Sequence, residues 1–413
     1  MAAADADVSL ASIREVRPVV EAASVRTPVL DGQWLGARVG GSVAFKAECL
    51  QRTGSFKVRG VAARLGASGQ DLGSGVVAAS AGNHGQALAH IAAVHNVPCH
   101  VFMPTTASVS KARAIERSGA RLELREDSVD GCLEDAREFA AAHGATLVHP
   151  FDDPLIILGQ ATIGLELLEQ VPDLATVIVP VGGGGLAGGM AAALKQLKPD
   201  VRVVGVQAEI CAPFAQGASA VSDVRFALAD GIAIKRPGEL TAPLVERYVD
   251  DLCTVPEDAI AEAIVALLEG GKLVVEGAGA VSVAALMTGA VRPAESGDTV
   301  AILSGGNIDL RRLAAATRMH EATQDTIVHI ATKVPDHPGG LASLLATIAG
   351  AQANVLSVEH VRDAGPRGYH ETGVELILET RGADHGEALR GALAEQGYEI
   401  VAMPTGAAAD PPA

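Results

Sequence analysis

Residues Val177 to Leu194 read VIVPVGGGGLAGGMAAAL. The stretch carries no charge and has nearly the length of a membrane-crossing helix. Its interior argues otherwise. Pro180 and six glycines interrupt it, and each weakens a continuous helix. Val177–Val181 reads instead as an apolar strand, Gly182–Gly185 as a turn, and Gly188–Leu197 as a helix. Such a turn points free backbone N–H groups at whatever sits above the helix, and missing Cβ atoms let a ligand come close. A phosphate suits this cradle. A crowded strand–helix turn without a ligand would read the same way.

Outward from this run, apolar strand-like segments recur at Gly75–Ser80, Cys99–Pro104, Val201–Gln207 and Thr299–Gly305. Ala- and Leu-rich helical stretches lie between them at Gly85–His95, Ser110–Ser118 and Gly131–His143. Strand–helix alternation predicts an α/β body with mostly parallel sheets in a small and a large lobe. The body is expected over residues 1–322, with the small lobe, about 53–150, inserted in the large one. From Ile327 the texture changes to strand, helix, strand, strand, helix, strand. That βαββαβ order predicts a separate small domain over 327–403. Residues 404–413, rich in Pro and Ala, read as a disordered tail.

Bulk composition narrows the partners. The 413 residues are 48% hydrophobic with a net charge of −17, which disfavours nucleic acid and anionic membranes. Aromatics make up 3%, too few for base-stacking platforms. Cys49, Cys99, Cys132, Cys211 and Cys253 are scattered without zinc spacing, as expected of reduced thiols in the cytoplasm. The acidic start MAAADADVSL lacks the pattern of a secretory signal. No metal site is expected.

Three further stretches carry polar groups at element ends. RTGSFKVRG, Arg52–Gly60, places Lys57 between Phe56 and Val58 after a Thr-Gly-Ser turn. A lysine in apolar surroundings loses its charge more easily and becomes a nucleophile. ASAGNHGQALA, Ala79–Ala89, ends a strand and opens a helix. Ser80 can cap there, Gly82 frees the backbone and Asn83 offers an amide, so the turn suits a carboxylate. His84 is an ordinary packed or capping histidine until shown otherwise. LSGGNID, Leu303–Asp309, closes a strand with Ser304, whose hydroxyl can meet a buried ring nitrogen.

Together these features fit an aldehyde cofactor with a phosphate handle, which is pyridoxal phosphate. A rival stands beside it. Gly183, Gly185 and Gly188 also spell G-x-G-x-x-G, and Glu209 lies near the end of the next strand, as in nicotinamide-binding folds. That rival leaves Lys57 unexplained.

GSFKVRG, SAGNHGQ, PVGGGGLAGG and LSGGNID, in this order, resemble the fold-type II pyridoxal-phosphate enzymes, and among them the threonine ammonia-lyases, with serine racemase as a near relative. The resemblance runs from about Arg26 to Ala316, and includes GQATIGLELLEQ (Gly159–Gln170) and LADGIAI (Leu228–Ile234). It implies that Lys57 binds the cofactor covalently and moves the substrate α-proton. It implies that Asn83 meets the ring oxygen, Gly182, Gly183, Gly184 and Gly185 hold the phosphate, and Ser304 meets the ring nitrogen. Ser80, Gly82 and His84 become candidates for the substrate carboxylate. The implied reaction takes L-threonine to 2-oxobutanoate and ammonia, with L-serine as a further substrate.

Ala81 bears on the choice within the group. Serine racemases resemble SSGNH at this point, and their second serine carries a proton on the face opposite the lysine. Alanine cannot do so, which favours elimination. Two departures from the relatives stand out: Pro213 and Ala215 replace expected metal ligands near Glu209, and Glu276 in VEGAGA has an open role. The βαββαβ segment resembles an ACT domain, an amino-acid-binding regulatory module. Its PDHPGGLA turn implies an effector site at Asp336, Pro338, Gly339 and Leu341, a branched-chain amino acid as effector, and a homodimer or homotetramer. The rivals are a serine or 3-hydroxyaspartate dehydratase, a racemase, a nicotinamide enzyme, and an amino-acid sensor with a silent catalytic body.

Overall fold

The computed structural model of the chain describes residues 7–67, 72–126, 128–216, 227–323, 326–361 and 370–402. The chain divides into two compact units, Met1–Ala314 and Ala315–Ala413. The division falls inside the helix Leu310–Thr323.

In the first unit the strands are β1 (Val29–Asp31), β2 (Val43–Lys46), β3 (Val76–Ala79), β4 (Cys99–Pro104), β5 (Arg121–Arg125), β6 (Thr146–Leu147), β7 (Leu174–Pro180), β8 (Arg202–Ala208), β9 (Asp251–Val255) and β10 (Asp298–Ile302). They form a six-stranded sheet in the order β1-β2-β10-β7-β8-β9 and a four-stranded sheet in the order β5-β4-β3-β6. Every neighbouring pair is parallel except β1 with β2. Parallel sheets are covered on both faces, so their strands read as unbroken apolar runs. That is the pattern of β3, β7 and β10, whose residues are nearly all buried.

The glycine stretch resolves as strand, turn and helix. β7 starts three residues earlier than Val177, and the following helix opens at Gly185 rather than Gly188. The earlier opening follows from Gly184, whose φ of +91° places it in the left-handed region and lets it cap Gly185–Leu197. Gly188 lies inside this helix, where a Cβ would sit 2.9 Å from Leu244 Cβ. Helix packing therefore explains the last glycine of the dinucleotide-like pattern. Ile163, Val177, Leu186, Met190, Val203 and Val300 build the core around the large sheet, each buried aliphatic side chain contributing about 1.5–3 kcal/mol.

Two helices fix the site lysine. Lys57–Gly66 crosses Pro154–Gln170 where Gly60 meets Gly159. A Cβ on Gly159 would lie 2.5 Å from Arg59 O, so only glycine allows this approach. Asp153 caps the longer helix by accepting from Leu155 and Ile156 N–H, Pro154 occupies its first turn, and Arg64 of the shorter helix pairs with Asp153 at 2.9 Å. Under the crossing lies a buried charge cluster. Arg59 grips the carboxylates of both Glu48 and Glu166, and Lys46 donates to Glu166, Thr27 O and Gln170.

The second unit has β11 (Ile327–Pro335), helix Gly340–Gly350, β12 (Asn354–Val361), β13 (Glu371–Glu379), helix Ala383–Glu395 and β14 (Val401–Ala402). The sheet is antiparallel in the order β12-β13-β11-β14. Alternate residues Val328, Ile330 and Val334 face Leu344, Ile348, Leu389 and Leu393 in one core. The last strand is shorter than Tyr398–Met403, as read from sequence. Tyr398 and Ile400 pack on the core, and Thr332 Oγ1 donates to Glu399 O at 2.7 Å outside the ladder. Met403 and the expected tail 404–413 lie outside the described residues.

Candidate active site

Lys57 is the first residue of its helix, and its Nζ donates to Pro150 O at 2.7 Å. Phe56 stacks beneath the amine, 5.1 Å from ring centroid to Nζ. Burial pushes this amine down to about 8, with the nearby Glu276 pulling it back up. A large fraction of it is thus neutral in mildly alkaline solution, the state a nucleophile or proton acceptor needs.

Around Lys57 the separate stretches converge on one pocket. Its lining includes Ser80, Ala81, Gly82, Asn83, His84, Gly182–Gly185, Glu276 and Ser304. Thus the pocket brings together every residue expected to serve cofactor or substrate. Ser80 is occupied as a cap: its Oγ accepts from Gly82 N–H at 3.1 Å and Gly85 N–H at 2.8 Å. His84 donates from Nε2 to Val148 O at 2.9 Å. Burial and the neighbouring Lys57 charge hold its pKa down at about 3. The ring is therefore neutral with Nδ1 as an acceptor, and Nδ1 is buried without a partner among the described residues.

The glycine loop is shaped for an anion. Among the described residues, none of the N–H groups of Gly182, Gly183, Gly184 and Gly185 is committed to a protein acceptor. A Cβ on Gly183 would run into the Phe151 ring, and one on Gly184 would lie 2.9 Å from Thr241 Cβ. Thr241 Oγ1 donates to Gly183 O at 2.5 Å, and Asp152 accepts from the N–H groups of Glu239, Leu240 and Thr241. Ser304 is buried, and among the described residues its hydroxyl makes only a long 3.3 Å bond, to Ala278 O. Orphan amides, a loosely held serine and a depressed lysine amine match the handles of pyridoxal phosphate, so the residues fit that cofactor.

Three side chains have roles not foreseen from sequence. Glu276 stands directly before Gly277–Met287 at the pocket wall, and its Oε1 accepts from Asn83 Nδ2 at 2.6 Å. Burial pushes its carboxyl up to about 7 against the pull of Lys111. Asn307 donates to Asn83 Oδ1 at 2.9 Å, completing the hold on that amide. Lys111 also lines the pocket, paired with Asp230 at 2.7 Å. The signal for Glu276 was an acid directly before a run of small residues; nothing in the sequence links Lys111 to Asp230.

Glu209 is exposed at the end of β8 and away from this pocket. Among the described residues, no group of three His, Cys, Asp or Glu side chains is placed to hold a metal ion. The five cysteines are free. No described helix is long and apolar enough to cross a membrane.

In the second unit, Gly339 has a φ of +99° and caps Gly340–Gly350. Asp336 N–H donates to His370 O at 2.8 Å, and Leu341 packs against the core. Pro338 stands in the same turn.

The family model for "Pyridoxal-phosphate dependent enzyme" matches residues 20–305. An L-threonine ammonia-lyase of Thermotoga maritima is 41% identical, over 95% of this chain and 99% of the relative. A solved threonine deaminase from T.th. superposes with a TM-score of 0.68 at 36% identity, covering 73% of this chain and 99% of that one. Maize serine racemase gives a TM-score of 0.70 at 34% identity, covering 77% and 98%.

Proposed function

This chain belongs to the pyridoxal-phosphate dependent enzyme family and is a lyase within it, and we propose that it converts L-threonine to 2-oxobutanoate and ammonia. The observation that carries the reading is the single pocket joining Lys57, the Ser80–His84 turn, Gly182–Gly185 and Ser304. Relatives named for threonine deamination support the substrate.

Bound pyridoxal phosphate supplies an aldehyde carbon for amines and a conjugated system that acidifies the Cα–H of an amino acid. The chain's own groups do the rest. The amides of Gly182–Gly185 would hold the phosphate at a helix N-terminus. Asn83, gripped by Glu276 and Asn307, would offer its amide to the ring oxygen. Ser304 would offer the ring nitrogen a neutral hydroxyl, which cannot fix a proton there as a carboxylate would. Lys57 would hold the cofactor and, once neutral, accept the proton from Cα. The free amides of the Ser80–His84 turn receive the substrate carboxylate, with Ser80 and Gly82 shaping it and His84 buttressing it through Val148. Phe56 and Phe151 exclude water. The net change removes the α-amine as ammonia and the β-hydroxyl as water, and returns one water as the oxo oxygen. L-Serine fits the same scheme.

The second unit is an ACT-like regulatory domain over about 327–403, following in sequence a catalytic body that ends near 322. The order of its elements supports this, and a relative matched over 95% of the chain extends into this unit. A branched-chain amino acid would bind at Asp336, Pro338, Gly339 and Leu341 in a homo-oligomer, and the enzyme would work in the cytoplasm.

The test is direct. Purified protein should absorb visible light from lysine-bound cofactor and release 2-oxobutanoate from threonine. Lys57→Ala should lose that absorbance and lower turnover at least about 10³-fold. A colourless protein that binds NAD tightly would return the nicotinamide reading.

A further inference from the structure

The cations lining the pocket are Lys57 and Lys111, and the acids are Asp230 and Glu276. Lys57 is committed to the cofactor in the reading above, on which this inference rests. Lys111 is therefore the only other cation, among the described lining residues, that a second substrate carboxylate could meet. It lies against the Ser80–His84 turn: a Cβ on Gly82 would come within 3.0 Å of Lys111 Cδ and 3.5 Å of its Nζ.

That amine is already paired. Its Nζ lies 2.7 Å from Asp230 Oδ2, with both side chains largely buried. Asp230 is in turn held by Arg312 at 3.0 Å. Behind this pair stands Glu276, whose Oε1 would lie 3.7 Å from a Cβ on Gly231. A dicarboxylic amino acid would thus meet one neutralised cation and two acids, and its extra charge would lose water without finding a partner. A methyl or hydrogen at that place meets no such cost.

We infer that Asp230 is a specificity-determining residue, which by occupying Lys111 rejects β-hydroxy amino acids bearing a second carboxylate and leaves those with a small uncharged side chain. Specificity here comes from withholding a partner, a repulsive device that differs from adding contacts to the preferred substrate.

The experiment measures oxo-acid release by full-length holoenzyme from L-threonine and L-threo-3-hydroxyaspartate. Wild type should favour threonine in kcat/KM by at least about tenfold. Asp230→Asn should move the ratio toward hydroxyaspartate by at least about tenfold, and Asp230→Asn with Lys111→Met should lose that gain. A purely structural Asp230 would lower both substrates together and leave the ratio still. An unmoved ratio, a gain that persists without Lys111, or equal use of both substrates by wild type overturns the inference.

A second measurement requires no variant. Malate and 2-hydroxybutanoate differ by a carboxylate in place of a methyl, and malate should be the weaker inhibitor of threonine turnover. Equal or stronger inhibition by malate overturns the inference while leaving threonine deamination intact. Wild type releasing oxo acid from neither substrate overturns the parent reading and this one together.

Discussion

Asn83 donates to Glu276 Oε1 at 2.6 Å, across a stretch of chain that includes β4, β5 and β6 of the small sheet. Among the described residues it is the only side chain to hydrogen-bond that buried carboxyl, and Oε2 has no partner. Burial holds Glu276 at about 7, above its ordinary 4.5. Between those values the folded chain keeps a proton that the unfolded chain has released. Stability from this group therefore falls as pH rises from about 4.5 through about 7. Glu276→Gln keeps an acceptor for Asn83 and cannot ionise. Its stability advantage over wild type should widen by about 2–3 kcal/mol between pH 5 and pH 8 in urea denaturation. A flat difference across that window would assign the carboxyl an ordinary titration.

Arg59 is fully buried and serves both Glu48 and Glu166. Arg59→Met would leave those carboxylates without it, and losing one partner of a buried ion pair costs about 3–5 kcal/mol. The same helix carries Lys57, so turnover should fall with stability. Denaturation midpoints indistinguishable from wild type would contradict the cluster.

Gly184→Ala adds a Cβ where φ is +91° and Thr241 Cβ lies 2.9 Å away. Strain of about 1–3 kcal/mol should weaken pyridoxal phosphate about 5- to 150-fold. Titration of cofactor absorbance checks it. Unchanged affinity would remove the glycine loop from the phosphate site.

Ala81 lines the pocket with a methyl that can carry no proton. Elimination from serine should outrun racemisation, and Ala81→Ser should raise D-serine formation, read by chiral chromatography. Wild type interconverting the enantiomers as fast as it makes pyruvate would reverse the roles assigned here.

Truncation after residue 322 should leave threonine turnover but abolish its response to isoleucine or valine. In the full chain that response should shift apparent threonine affinity by about 5- to 150-fold. If no common amino acid changes threonine saturation of the full-length enzyme, the second unit has a structural role.

Much of this was legible in the sequence because parallel strands and glycine turns leave local marks. Val177–Val181 and Cys99–Pro104 are continuous apolar runs, and the glycines after β7 mark the helix opening. Lys57 stood out by its apolar neighbours. What stayed hidden depends on distant partners. Arg59 looks like an ordinary helix-surface arginine until β2, the short turn Glu48–Leu50 after it and Pro154–Gln170 supply Lys46, Glu48 and Glu166 around it. Lys111 reads as a solvent-facing residue of an amphipathic helix, and only the loop with Asp230 turns it inward. Ser80 could be read as a cap or a ligand, and the amides of Gly82 and Gly85 were needed to see it acting as a cap.

The position of β10 has a consequence for how the chain is made. It lies between β2 and β7 in the large sheet, yet it follows β2 by roughly 250 residues, or roughly 10–50 s of synthesis at about 5–20 residues per second. The small sheet, built from strands between Val76 and Leu147, can close while the ribosome is still working. β2 and β7 must meanwhile wait with facing parallel edges unpaired, each a template for another nascent chain. Stalling between Pro180 and Asp298 should therefore yield a folded small lobe joined to an aggregating large one. The strand made last in the body is the one that seals it.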